Sequence, residues 1–194
     1  MATSYFDQAE AAAFKAGIQP RSAESLSWFR SKLKSLRVNR NALLKDENTV
    51  ETNKPLPGRM FMFFYDPKYK DTLPYYDRFP LIFLVEGAKG GFYGINLHYL
   101  DPINRAKLFD QLTDYATSKR YSDSTRLKLK YNLLKGASKL SRFQPCFKHY
   151  LTEHITSRIS EVKATEWEVA LFMPTEQFVK KSKGAVHNLS KKQF

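Results

Sequence analysis

Hydrophobic positions switch between helical and strand spacing along this chain, and the switches mark its elements. Residues 4–16 suit a short helix, since Ala9 to Ala13 are strong helix formers and Gly17 followed by Pro20 ends it. Ser22 can cap a second helical stretch over 22–45, with Glu24 near its positive end. Leu26, Phe29, Leu33 and Leu36 fall on one face of that stretch. Arg30, Lys34 and Arg37 line the adjacent face at i, i+4, i+7 spacing. The polar segment 46–57 ends in Pro-Leu-Pro and reads as a linker. The spacing then changes. The runs RMFMFFY (within 58–65), PLIFLV (80–86) and FYGINLHYL (91–100) predict short buried strands, with a hairpin at Gly87, Gly90 and Gly91. Asp66-Pro67 opens a loop that carries Tyr69, Tyr75 and Tyr76.

Asp101-Pro102 starts a helix over 101–118, with Leu108, Leu112 and Tyr115 facing the core. Ser122 or Asp123 opens another over 123–140, broken near Gly136. A further helix is expected over 147–159. EWEVALFM, 166–173, reads as a last strand closed by Pro174. The Lys-rich end, 180–194, lacks apolar periodicity and is expected to be a mobile basic tail. The class is therefore α+β. Residues 1–179 are expected to form a single domain, in which the helical segment 1–46 precedes the linker. A small curled antiparallel sheet or SH3-like barrel of about four strands would sit among the helices.

Composition narrows the class. In 194 residues, 42% hydrophobic content suffices for a folded core. The longest apolar stretch, Leu81 to Val85, falls far short of the ~20 residues of a membrane span, so no membrane partner is expected. The opening MATSYFDQAE lacks a basic n-region and predicts no signal peptide. Cys146 is the single cysteine, which excludes an internal disulfide and suits a reducing compartment.

The charge is what points to a partner. The formal net charge is +13, and like charges oppose compaction, so such an excess suits an anionic partner. It is laid out in blocks. Seven Lys/Arg and one acid lie in 21–45, nine and one in 119–150, and five and none in 180–194. Residues 54–118 are near balance, with eight basic and seven acidic residues. Separate basic runs around a neutral centre are what a phosphate-tracking surface needs, because affinity accumulates with each counterion released. The candidate DNA contacts are Arg30, Lys34, Arg37, Arg126, Lys128, Lys130, Lys135, Lys139 and Arg142, together with the Lys-rich tail. Tyr75 and Tyr76, close to Lys68, Lys70 and Arg78, are candidates for stacking on bases, although core packing accounts for most aromatics of this region.

Catalytic and metal chemistry find weaker footing. His149 and His154 are five apart and do not share a helical face, and with one cysteine a zinc site has no recognisable ligand spacing. Asp77, Glu86 and Lys89 are the acids and lysine that a metal-dependent nuclease would use, but their spacing is not that of a strand-borne pair. Gly87, Gly90 and Gly91 lack the GK[ST] of a phosphate loop. Cys146, between Pro145 and Phe147, suits core packing. No catalytic residue, cofactor, metal or small-molecule substrate is predicted.

The segments PGRMFMFFYDPKYKDTLPYYDRFPLIFLVE, GFYGINLHYL, RYSDSTRLKLKYNLLKGASK, FQPCFKHYL and WEVALFMPTEQF together resemble a protein family of large T-even-type tailed phages. The resemblance runs from Ser22 to the tail. It implies a DNA end protector, a virion-associated protein that shields linear genome ends from host exonuclease, present in the virion and the host cytoplasm. It supplies no catalytic motif. The reading is thus a non-enzymatic, sequence-independent binder of double-stranded DNA. The alternatives are a neck, tail or baseplate assembly protein whose basic surface meets other phage structural proteins, or a nuclease.

Overall fold

The computed structural model describes the chain except at residues 1–3, 20–21, 36–37, 48–49, 118–119, 121 and 192–194. It is an α+β fold built on a six-stranded antiparallel sheet. In chain order the strands are β1 (Val50–Glu51), β2 (Met60–Met62), β3 (Tyr76–Asp77), β4 (Leu81–Ala88), β5 (Gly91–Asn96), β6 (Phe147–Leu151), β7 (Ser160–Val162) and β8 (Phe178–Val179). The sheet order is β1-β7-β2-β4-β5-β6, and β3 pairs with β8 in a separate two-stranded sheet. The sheet is open, with β1 and β6 as its edges, so it does not form the barrel that was one expectation.

The long central strand β4 explains why its sequence is a continuous apolar run. Leu81, Phe83 and Val85 enter the main core, with Met60, Met62 and Ile95. Ile82 and Leu84 point the other way into a second cluster of Phe61, Phe63, Tyr65, Phe92 and Tyr150. A strand buried on both faces shows no polar alternation. The hairpin between β4 and β5 turns at Gly90, whose φ of 74° favours glycine. A Cβ on Gly91 would collide with the Tyr150 carbonyl of β6.

The described residues form seven helices: α1 (Tyr5–Lys15), α2 (Ala23–Ser35), α3 (Arg40–Lys45), α4 (Pro102–Thr117), α5 (Asp123–Ser138), α6 (Trp167–Phe172) and α7 (Lys183–Lys191). α1 starts where expected, with Ser4 and Asp7 forming a capping box. The stretch 22–45 divides, because Asn39 caps a new helix by accepting from Ala42 N at 2.9 Å. α5 continues through Gly136 instead of breaking there.

Three expectations are overturned. EWEVALFM is not a strand. It forms a 3-10 turn (Ala164–Glu166) and then α6, in which Trp167, Val169, Ala170, Leu171 and Phe172 are all buried. A six-residue helix in which only Glu168 escapes burial is too short to show helical periodicity. Residues 147–159 are not a helix. They form β6, a 3-10 turn (Thr152–His154) and a bridge from Ile155 to Tyr65. In FKHYL, Tyr150 is buried while His149 is exposed, and pairing with β5 decides the conformation. Residues 183–191 are not a mobile tail. In α7, Val186, His187 and Ser190 are buried, and His187 Nε2 lies 2.9 Å from the His98 carbonyl oxygen. The segment 46–57 supplies an edge strand, β1, as well as connecting chain.

Candidate nucleic-acid interface

The first candidate surface is α5. Ser122 caps it, and Leu134 and Ala137 bury its inner face, so α5 packs on α4 and across β4. Its basic residues leave on two sides. Lys128 and Lys139 are exposed, and at i, i+7, i+11 they share a face with Lys135. Lys135 is engaged there: its Nζ lies 2.7 Å from Glu86 Oε2 and 3.0 Å from the Tyr131 hydroxyl, which raises its pKa. Arg126 and Lys130, four apart, occupy the other side. Lys130 is half-buried, with Nζ 5.3 Å from the Trp167 ring centroid. Burial lowers its pKa, and the neighbouring charges of Arg59 and Arg126 lower it further. Three cations are therefore gathered around the start of α5. Arg59 also holds Glu161 through one guanidinium nitrogen, at 2.9 and 3.0 Å.

The remaining basic candidates are dispersed. Arg30 and Lys34 are exposed on α2, which packs on α1 and α6 rather than beside the α5 cluster. Arg37 lies outside the described residues, as does the Arg142 side chain.

The second candidate surface is a cleft between the 66–76 loop and β6. The loop is held at both ends. Lys70 Nζ lies 2.8 Å from Asp66 Oδ2. Lys180 Nζ donates to the carbonyls of Lys70, Asp71 and Leu73 at 2.7, 2.9 and 2.9 Å. Tyr76 is fixed by pairing with Val179. Tyr75 is half-buried, its ring 5.9 Å from that of Tyr99. The cleft encloses about 280 Å³, and Lys68, Tyr69, Lys148 and His149 line it together with Tyr75, Tyr76 and Tyr99.

Comparison with protein families matches residues 11–192 to the family described as phage T4 terminal DNA protecting protein. The chain belongs to that family. Searches of curated proteins and of solved structures found no match.

Within this end-protecting family member, the acids considered for a nuclease have other employment. Asp77 is buried, and its carboxylate meets four donors. Oδ1 accepts from Phe79 N and Gln177 N, each at 3.0 Å. Oδ2 lies 2.6 Å from His98 Nδ1 and 3.2 Å from Asn96 Nδ2. Burial alone would raise the Asp77 pKa, but His98 and the backbone donors outweigh it and hold it below the usual range. His98 Nε2 in turn lies 3.2 Å from Thr175 Oγ1, an Asp-His-Thr relay sealed in the interior. Cys146 is fully buried, and burial pushes its thiol up to about 12, which leaves it unreactive at neutral pH.

Four participants escaped the sequence reading. Arg59 stands at the edge of an apolar run, and only the fold brings it to α5. Lys148 lies in a stretch expected to be helical. Tyr69 stood among aromatics assigned mostly to the core, yet it is 65% exposed. Lys180 belonged to the expected tail. A lone basic residue in an otherwise apolar or aromatic stretch is the signal that would have marked Arg59 and Lys148.

Proposed function

We propose that the chain is a non-enzymatic, sequence-independent binder of double-stranded DNA that shields the linear ends of a phage genome from exonuclease. It would act in the virion and in the host cytoplasm. Duplex contact falls to the α5 surface, through Arg59, Arg126, Lys128, Lys130 and Lys139, with Arg30 and Lys34 on α2 adding contacts. Tyr75 and Tyr76 serve the terminal base pair. The observation that carries the reading is the convergence of Arg59, Arg126 and Lys130 at one end of α5 in a member of the end-protecting family. Glu161, held by Arg59, lies in the same group of charges, and phosphate contacts would add to the anionic charge these cations meet. Such contacts position a protein without reading sequence.

The test is binding to linear and closed circular duplex over a salt series, together with exonuclease protection of the linear form. Each phosphate neutralised contributes about −0.9 to the slope of log K against log salt. The double variant Arg126→Glu, Lys130→Glu should weaken binding to both forms by about 100-fold at low salt and flatten the slope by about 2. Unchanged affinity in a folded variant would remove α5 from the interface. A second reading, virion assembly, is favoured by Phe14, 86% exposed beside a groove of about 340 Å³ between α1, α2 and α6. There a neighbouring virion protein would cover an apolar surface rimmed by Glu10 and Glu168. Failure to bind either DNA form at low salt selects that reading.

A further inference from the structure

The α5 surface explains attachment along a duplex, but it contains nothing that distinguishes an end from the middle. The cleft between the 66–76 loop and β6 does. Its volume of about 280 Å³ is at the small end of the range for ligand sites, with room for one nucleotide and none for a base pair. Its walls carry tyrosines: Tyr69 on the loop is 65% exposed, Tyr75 is half-buried, and Tyr99 lies buried behind them. Its amines lie over those rings, Lys68 Nζ 5.7 Å from the Tyr69 centroid and Lys148 Nζ 4.6 Å from that of Tyr99.

Among the described residues, neither lysine forms an ion pair. Lys148 is half-buried over the Tyr99 ring, and burial lowers its pKa by disfavouring the charged form. That arrangement is costly alone and is relieved by an incoming anion. The acid that lines the cleft, Asp77, has both oxygens occupied by His98, Asn96, Phe79 and Gln177. The acid at the loop's start, Asp66, is held by Lys70. An exposed tyrosine ring and two amines thus meet in one concave space. This is the chemistry by which unpaired nucleotides are held without regard to base identity.

We propose that this cleft captures a single unpaired nucleotide at the DNA terminus, with the base on the tyrosine rings and its phosphate at Lys68 and Lys148. The proposal rests on the DNA-end reading above and adds how an end is told from a continuous duplex. Removing a base from a paired end costs free energy, and an already unpaired base avoids that cost. An end with a one-nucleotide overhang is therefore the better ligand, while a closed circle offers the cleft nothing.

The experiment uses the full chain and hairpin duplexes closed at one end by a loop. The open end is blunt or carries a one-nucleotide overhang on either strand, and closed circular DNA is measured in parallel. The wild type should bind at least one overhang form about tenfold more tightly than the blunt form. Tyr69→Ala should abolish that preference and Tyr69→Phe should keep it. Tyr69 is exposed, so both variants should melt like the wild type, which thermal denaturation verifies. Equal affinity for blunt and overhanging ends overturns the proposal, as does a preference that survives Tyr69→Ala. Displacement of overhang DNA by micromolar free deoxynucleoside monophosphate would assign the cleft to a soluble nucleotide and also overturn it. Tight binding to the circle without an overhang preference defeats the cleft alone. Failure to bind any duplex defeats the DNA reading and the cleft together.

Discussion

The α5 surface and the tyrosine cleft are both basic, but they hold their charge differently. On α5 the cations sit on a helix, and one of them, Lys135, is matched by Glu86 at 2.7 Å. In the cleft, Lys68 and Lys148 lie against aromatic rings, and the nearby acids are engaged elsewhere. A helix surface suits a partner of indefinite length, whereas a cavity suits a partner that terminates. The difference teaches that the +13 charge is not one property of the molecule. Part of it is compensated inside the fold, part lies open along α5, and part is enclosed.

The largest expected effect comes from removing the support beneath the cleft. Asp77→Ala would strand His98, Asn96 and two backbone N–H groups in the interior. The expected loss is about 3 kcal/mol, or about 6–12 °C in Tm for a chain of this size. The pH dependence has a definite sign. The folded Asp77 carboxyl is held below its ordinary value of about 3.9, so its stabilisation is complete above that pH and disappears as pH falls through the lowered folded value. Thermal melts of wild type and variant should therefore differ widely at neutral pH and converge in strong acid. An equal gap at both pH values would mean that the loss comes from packing alone. Surviving duplex binding in this variant, at a temperature where it remains folded, would separate α5 from the cleft.

Much of the scaffold was readable because local and tertiary preferences agree there. α1, α4 and α5 have side-chain caps at their starts, Gly17 with a positive φ follows α1, and the β4–β5 hairpin has Gly90 where φ is positive. The misread segments lack such agreement. α6 is buried at every residue but Glu168, and β6 depends on β5, more than fifty residues away, for its hydrogen bonds. α7 was overlooked because its lysines concealed the i, i+3, i+7 spacing of Lys183, Val186 and Ser190, the last two of which are buried. The α5 candidates were visible as a run, but their division was not. Which lysine meets an acid and which meets another cation is set by Glu86 and Arg59, both on distant strand segments. The cleft was legible only as tyrosines in a loop, because Lys148 reaches it from β6 and Lys180 holds its loop from elsewhere in the chain.

Lys180 sharpens the comparison at an intermediate scale. It adopts a φ of 69°, unusual for a residue with a side chain, and its amine gathers three loop carbonyls. Lys180→Met keeps the aliphatic stem and removes those bonds. The 66–76 loop should loosen, with a fall in Tm of about 2–4 °C and a several-fold loss of the overhang preference. Affinity for closed circular DNA should fall only slightly, by the loss of one positive charge. A parallel loss for circular and overhanging DNA would mean that Lys180 contacts phosphate directly, and the two surfaces would then be one.

The smallest effect probes the opposite side of the comparison. Glu86→Gln removes the acid that holds Lys135 and returns its charge to the face shared with Lys128 and Lys139. The pair is partly exposed, with side-chain exposures of 42% and 36%, so solvent screening keeps its contribution to stability small. Against that small loss of stability, one further cation becomes available to phosphate. Affinity for both linear and circular duplex should rise about two- to fivefold at low salt, and the salt slope should steepen by up to about 0.9. The overhang preference should not change, because Glu86 does not line the cleft. A gain confined to overhanging ends would contradict the division of labour. A gain shared by every duplex would place Lys135 among the α5 contacts, restrained in the free protein by its own acid.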